Sequence, residues 1–185
     1  MGKQKINLAT HGLSGKIDTF VYRQRNGITV VSKPPVHTRL VSDAQGGIRS
    51  TFKRAVIYAK AALMDADTRM LYASKAKPGQ SAFNMAIADF FLSPVVGEIN
   101  ISGYTGQPGS IIKVESYDDF KVASVLVRIE KSNGTLIEDG NATLSGNGLD
   151  WEYTATTANG SLTGSMVIIT ATDRPGHSIV KQKTI

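Results

Sequence analysis

Cysteine is absent from this chain of 185 residues, and tryptophan occurs once. Without thiols there can be no cysteine nucleophile, no cysteine-ligated metal and no disulfide framework. No run of about 18 apolar residues occurs, so the sequence predicts no membrane-spanning helix and no membrane partner. The N-terminal stretch MGKQKINLATHGLSGKI lacks the apolar core of a secretory signal, and Ile6 stands where a myristoylation signal needs Ser or Thr. The expected location is therefore the cytoplasm, or a particle assembled there. Acidic residues are scarce in one half only: residues 1–80 carry 14 Lys/Arg against 4 Asp/Glu, whereas residues 81–185 carry 7 against 11. The net charge of +6 thus conceals a basic half and a mildly acidic one. A basic half of this kind attracts nucleic acid, an anionic surface or the acidic face of another subunit.

The most legible stretch is Thr19–Pro34, TFVYRQRNGITVVSKP. Asn26-Gly27 provides the two positive-φ positions of a type I′ turn, and β-rich runs flank it. With that turn as the loop, Arg25 faces Ile28, Arg23 faces Val30, Tyr22 faces Val31 and Phe20 faces Lys33. Strand alternation then places Val21, Arg23, Arg25, Ile28 and Val30 on one face, and Phe20, Tyr22, Gln24, Thr29 and Val31 on the other. Both faces are apolar near the base and polar or cationic near the tip, the pattern of a projecting arm. Residues 1–18 read as a flexible leader, and Pro34-Pro35 ends strand pairing and opens an extended connector over 34–41.

Ser42 to Gln45 has the form of a capping box, with Ser42 as N-cap. Beyond it Ile48, Phe52, Ala55, Val56, Ala59 and Leu63 recur at helical spacing, while Arg49, Lys53, Arg54 and Lys60 ride mostly outside that stripe. A second helix is expected over Ala66–Ala76, and a third over Ser81–Leu92. The third is apolar around nearly its whole circumference, which predicts burial beneath the hairpin or against the second half.

From Val95 the periodicity becomes strand-like. Candidate strands are Gly97–Gly103, Ser110–Ser116, Ala123–Lys131, Thr135–Ser145, Leu149–Thr157, Gly164–Thr172 and His177–Thr184. Turn signals separate them, among them Asn133-Gly134, Asp139-Gly140 and Asn159-Gly160. Seven short strands at this spacing describe an immunoglobulin-type β-sandwich without its disulfide, with Trp151 or Tyr153 as the large core aromatic. The expected fold class is α+β: an N-terminal β-hairpin and about three helices over residues 1–94, followed by an immunoglobulin-like β-sandwich over 95–185.

Candidate catalytic groups are few. His11, His37 and His177 fall in separate loop-like contexts with no carboxylate or second histidine at ligand spacing, and read as surface residues. Asp118-Asp119 could bind calcium, but no D-x-D-x-D-G pattern surrounds the pair and turn capping is the simpler reading. Gly103, Gly106 and Gly109 are spaced like fragments of a phosphate loop, yet a strand rather than a helix follows. The Asn-x-Ser/Thr triplets at Asn100, Asn133, Asn141 and Asn159 read as turn and strand chemistry. No nucleophile, base and orienting group converge, so no enzyme, no catalytic or metal residue and no cofactor are expected.

The basic set carries the functional expectation. Arg23, Arg25, Lys33, Arg39, Arg49, Lys53, Arg54 and Lys60 fall close together in sequence, with Phe20 and Tyr22 among them. Tyr22, Arg23, Arg25, Asn26, Gly27, Arg49, Lys53, Arg54 and Lys60 are the candidate assembly or nucleic-acid contacts.

The segments GKIDTFVYRQRNGITVVSKPP, Gln45-x-x-x-Arg49-x-x-Phe52, Ser81-Ala-Phe-Asn84, Tyr104-Thr-Gly106 and Asp118-Asp-Phe120 resemble an uncharacterised Bacteroidetes family, a domain of unknown function that supplies no activity. Ile168–Gly176 resembles the penultimate strand of bacterial immunoglobulin-like domains, with His177 where that pattern usually has Asn. Such domains occur in phage and cell-surface structural proteins as adhesion or decoration modules, so the resemblance implies a structural role at the level of fold.

The sequence thus leads to a non-enzymatic structural or interaction protein that self-assembles as a homo-oligomer. The basic N-terminal arm would dock on a neighbouring subunit, and a phage virion component (capsid, decoration or tail) is the expected setting, with other virion proteins as further partners. Two alternatives stand beside it. One is a nucleic-acid-binding protein using the basic 20–60 surface. The other is a surface- or carbohydrate-binding module, for which Trp151 and Tyr153 are the close aromatic pair.

Overall fold

The structure, a computed structural model, describes residues 10, 12–25, 27–34 and 42–185. The chain divides into two compact units, Met1–Thr51 and Phe52–Ile185, so that the division falls inside the first helix.

In the first unit, β2 (Phe20–Arg25) and β3 (Ile28–Ser32) pair antiparallel with Tyr22 opposite Val31, Arg23 opposite Val30 and Arg25 opposite Ile28, the register expected from the turn. Gly27 has φ 75°, a value that glycine adopts without steric cost. Asn26, expected beside it in the turn, lies outside the described residues, as do His11, His37, Arg39 and most of the 34–41 connector. The leader is not structureless throughout: β1 (Gly15–Ile17) pairs with β2, Ile17 opposite Phe20, across a tight turn in which Asp18 takes φ 50°. Asp tolerates that left-handed conformation better than most side chains, and the lack of a Gly in the turn is why the sequence signal was weak.

Helix α1 (Asp43–Ala62) begins at the expected capping box. Gln45 N donates to Ser42 Oγ and Ser42 N to Gln45 Oε1, both at 3.3 Å. Only part of its apolar stripe is covered. Ala55 and Ala59 are fully buried, whereas Ile48 is 67% and Phe52 50% exposed. Helix α2 (Ala66–Lys75) is capped by Asp65, whose carboxylate accepts from Thr68 N at 2.8 Å, and α3 (Ala82–Phe91) by Ser81. Ala59, Tyr72 and Ala86 form the buried centre of these helices. Among the described residues no helix is long and apolar enough to cross a membrane.

Eight strands follow: β4 (Val95–Asn100), β5 (Ile111–Tyr117), β6 (Val122–Glu130), β7 (Leu136–Asn141), β8 (Thr143–Leu144), β9 (Asp150–Thr154), β10 (Met166–Asp173) and β11 (Ser178–Thr184). They form two antiparallel four-stranded sheets, ordered β4-β5-β9-β8 and β11-β10-β6-β7. Alternation sends Ile112, Val114, Trp151 and Tyr153 of the first sheet and Val125, Val127, Ile129, Val167 and Ile169 of the second into one shared core. Each fully buried Val or Ile there is worth on the order of 1.5–3 kcal/mol. Both candidate aromatics are core residues, and Trp151 Nε1 donates to Ser116 O at 3.3 Å.

The expected strand Thr135–Ser145 is split into β7 and β8 by the buried Ala142. Asp139-Gly140 is not a turn but lies inside β7. Gly140 is needed there for closeness, since a Cβ at this position would stand 2.9 Å from Tyr153 Cε2.

Candidate interaction surface

Pairing fixes which hairpin side chains share a face. Lys16 stands opposite Val21, Arg23 opposite Val30 and Arg25 opposite Ile28, so Lys16, Arg23 and Arg25 project from one face together with Val21, Val30 and Ile28. Ile17, Phe20, Tyr22, Gln24, Thr29 and Val31 occupy the other, which carries no charge along the paired strands; Lys33, expected opposite Phe20, follows the end of β3. The three-stranded sheet is therefore cationic on one side and aromatic on the other. Tyr22 cannot stack against a ligand held by Arg23 and Arg25. Gln24 Nε2 binds Thr29 Oγ1 at 2.8 Å and Leu13 O at 2.9 Å, which ties the uncharged face to the chain before β1. Phe20, Ile28, Val30 and Val31 all remain exposed, Ile28 at 61%. A small sheet with apolar groups in water on both faces is marginal by itself.

On α1, Arg49, Lys53 and Lys60 are separated by four and seven residues and all are exposed, the spacing of one side of a helix. Arg54 is exposed as well, and its guanidinium also lies 5.8 Å from the centre of the Phe90 ring.

The sequence reading missed a buried polar cluster that ties the three helices to one another. Tyr72 donates to Asp89 Oδ2, and Tyr58 lies 2.8 Å from the Tyr72 hydroxyl. Asp89 is 1% exposed, and its Oδ1 finds no partner among the described residues. Burial first, and then the charges of Asp118 and Asp173, lift the Asp89 pKa to about 6 against the opposing Tyr72 hydrogen bond. Burial also raises both tyrosines, Tyr72 strongly because its proton is held by Asp89.

Beside this cluster, Asp173 accepts from Gly176 N at 2.7 Å, His177 N at 2.6 Å and the His177 ring at 3.0 Å, while that ring packs edge-on against Phe90. His177 thus has a carboxylate partner four residues before it, contrary to the expectation of an unpaired surface histidine. Arg174 donates to Thr68 Oγ1 at 2.8 Å and Lys75 to Asp119 O at 3.1 Å, further ties between helices and sheets. The third helix therefore packs against the β half, one of the two expected settings. The signal available in the sequence was Asp89 itself, the one charge in an otherwise apolar helix.

The remaining candidates are structural. Asp118 Oδ2 accepts from Phe120 N at 3.1 Å and Lys121 N at 3.0 Å, a turn cap. A Cβ at Gly106 would stand 2.8 Å from Asn159 O and from Leu162 Cδ2, and Asn159 is buried and bonded to Ser165 Oγ at 3.0 Å. Glu138 carries a second buried carboxylate; burial alone would raise its pKa, but hydrogen bonds from the Thr156 hydroxyl and amide, Tyr153 and Thr157 outweigh this and hold it low. Among the described residues no group of three or more His, Cys, Asp or Glu could hold a metal ion.

No protein-family model matches the chain, and no curated protein matches it. Two solved structures are similar over part of it. A tetra-tandem repeat from the extending region of a large adhesion protein aligns at 17% identity over 49% of this chain and 22% of that one, with a TM-score of 0.33. An engineered protein aligns at 20% identity over 58% and 30%, with a TM-score of 0.35. The chain spans less than a third of either, and neither likeness is close enough to carry an argument.

Proposed function

We infer that this is a non-enzymatic structural protein that assembles with copies of itself through its basic N-terminal arm. The observation that carries this reading is the contrast between the two parts of the chain. The sheets from Val95 onward bury a continuous core, whereas the hairpin and the start of α1 leave Phe20, Ile28, Val30, Val31, Ile48 and Phe52 in water beside their cations. Apolar groups exposed at this density mark a surface that is covered in the working state.

Residues 95–185 are taken as an immunoglobulin-like module and residues 1–94 as the arm-bearing part. The strand orders β4-β5-β9-β8 and β11-β10-β6-β7 support the first assignment, because they follow the A-B-E-D and G-F-C arrangement of that fold with one further edge strand. A repeated particle such as a phage capsid, decoration layer or tail is the setting in which such an arm and module serve together. The nucleic-acid reading is weakened by the separation of Tyr22 from Arg23 and Arg25 on opposite faces.

Sedimentation of the purified chain over a range of concentration and salt tests the proposal. Association that grows with concentration and weakens with salt is expected. A monomer at high concentration and low salt rules it out, and a salt-sensitive gel shift with nucleic acid in that case moves the assignment to the alternative.

A further inference from the structure

The outer face of the sheet β4-β5-β9-β8 has the chemistry that the hairpin lacks. With Ile112, Val114, Trp151 and Tyr153 turned inward, Lys113, Glu115, Asp150 and Glu152 stand on the outer side, and Glu115 is directly opposite Asp150 across β5 and β9. Glu98, Glu115 and Asp150 line a shallow recess of about 170 Å³ with Asn100 and Lys113. Lys113, the cation of that recess, is already held by Glu152 at 2.9 Å. Asp150 accepts from Asn147 Nδ2 at 2.6 Å, and Glu115 from the Glu98 amide at 3.4 Å. Among the described residues, none of the three carboxylates has a cationic partner. Around them Val95, Ile111 and Tyr117 are exposed.

The cationic face of the hairpin sheet answers this surface in charge, in apolar content and in spacing. Arg23 and Arg25 lie two residues apart on β2, and Glu115 and Asp150 are direct neighbours across β5 and β9. Same-face residues recur at about 6.6 Å along a strand and directly opposed side chains stand about 5 Å apart across two, so when the two sheets stack with their strands crossing near right angles the two arginines can meet the two carboxylates without distorting either backbone. Ile28 and Val30 on the hairpin supply apolar area for Ile111 and Tyr117. Because the complementarity is between two surfaces of one chain, the partner that fits is another copy of it.

We propose that the Lys16, Arg23 and Arg25 face of one copy packs on the outer face of β4-β5-β9-β8 of a second copy, with Arg23 and Arg25 meeting Glu115 and Asp150. This rests on the self-assembly reading above and names its receiving site. The contact is heterologous: each copy uses its hairpin toward one neighbour and its acidic sheet toward the next, which generates rings or open filaments rather than a closed two-fold dimer.

Charge reversal tests it. The chains compared by sedimentation are the wild type, Arg23→Glu/Arg25→Glu, Glu115→Lys/Asp150→Lys, and the chain with all four changes, each first checked for an unchanged circular dichroism spectrum and cooperative melting. The substituted side chains are on outer faces, so folding is expected to be retained. Each double variant is expected to weaken association about tenfold or more, because like charges then face each other. The fourfold variant, with its charges exchanged, is expected to recover most of it. If Arg23→Glu/Arg25→Glu abolishes association while Glu115→Lys/Asp150→Lys associates as the wild type does, the arm docks elsewhere: this site is wrong and the self-assembly reading survives. If the fourfold variant shows no recovery, the direct contact is refuted. If the wild type is monomeric, both fall.

Discussion

Replacing Asp89 by Asn tests whether the buried carboxyl stabilises the packing of the three helices or weakens it. In the folded chain its pKa lies at about 6, against an ordinary value of 3.8. A folded-state value above the unfolded one means that the folded chain binds the proton more tightly. The carboxyl therefore contributes stability that is fully present below about pH 4 and is lost as pH rises through about 6. The interval corresponds to about 3 kcal/mol at most, and relaxation around the charged form brings the expected effect to about 1–2 kcal/mol. Asn keeps an acceptor for the Tyr72 hydroxyl but does not ionise, so Asp89→Asn is expected to be more stable than the wild type by about that amount above pH 7 and equal to it or less stable near pH 4. Urea unfolding followed by Trp151 fluorescence at a series of pH values measures the difference between the two proteins, in which the other carboxylates cancel. A variant less stable than the wild type above pH 7, or a difference that does not change with pH, refutes the reasoning.

Two further outcomes follow from packing. Gly140→Ala places a methyl group 2.9 Å from Tyr153 Cε2, and is expected to cost about 1–3 kcal/mol; calorimetry should show a lower Tm, and a Tm raised by the better strand propensity of Ala would contradict the close contact. Lys181 Nζ lies 2.6 Å from Gly97 O and Lys183 Nζ 2.7 Å from Ile99 O, so these lysines cover free carbonyls of the edge strand β4. Lys181→Ala/Lys183→Ala is expected to change stability by less than about 1 kcal/mol but to increase light scattering on heating, and unchanged scattering would show that the edge needs no cover.

Where neighbouring residues decide a structure, the sequence was readable. Asn26-Gly27 set the register of β2 against β3 down to Arg25 opposite Ile28, because a two-residue loop leaves one pairing. Ser42 with Gln45 began α1 through reciprocal hydrogen bonds made within three residues, and Pro94, with no N–H to donate, marked the end of α3. Asp139-Gly140 misled for the complementary reason: the dipeptide favours a turn locally, but the Tyr153 ring pressed on β7 requires a residue without a side chain. Ile48 and Phe52 continued the helical stripe in sequence, yet periodicity cannot tell how far along a helix its covering partner extends.

The alternating strand pattern, the separation of positive from negative charge and the two-faced hairpin were determined by the sequence alone, since each depends only on residue order and a two-residue period. The tertiary structure decided which distant groups meet. It brought Asp89 to Tyr72 and close to Asp173, turned Arg54 onto Phe90, set His177 edge-on against Phe90, and placed Glu115 of β5 beside Asp150 of β9 on one outer face. These groups are far apart along the chain and become neighbours only when strands pair and helices pack, which is why the acidic face, unlike the basic arm, could not be located from composition.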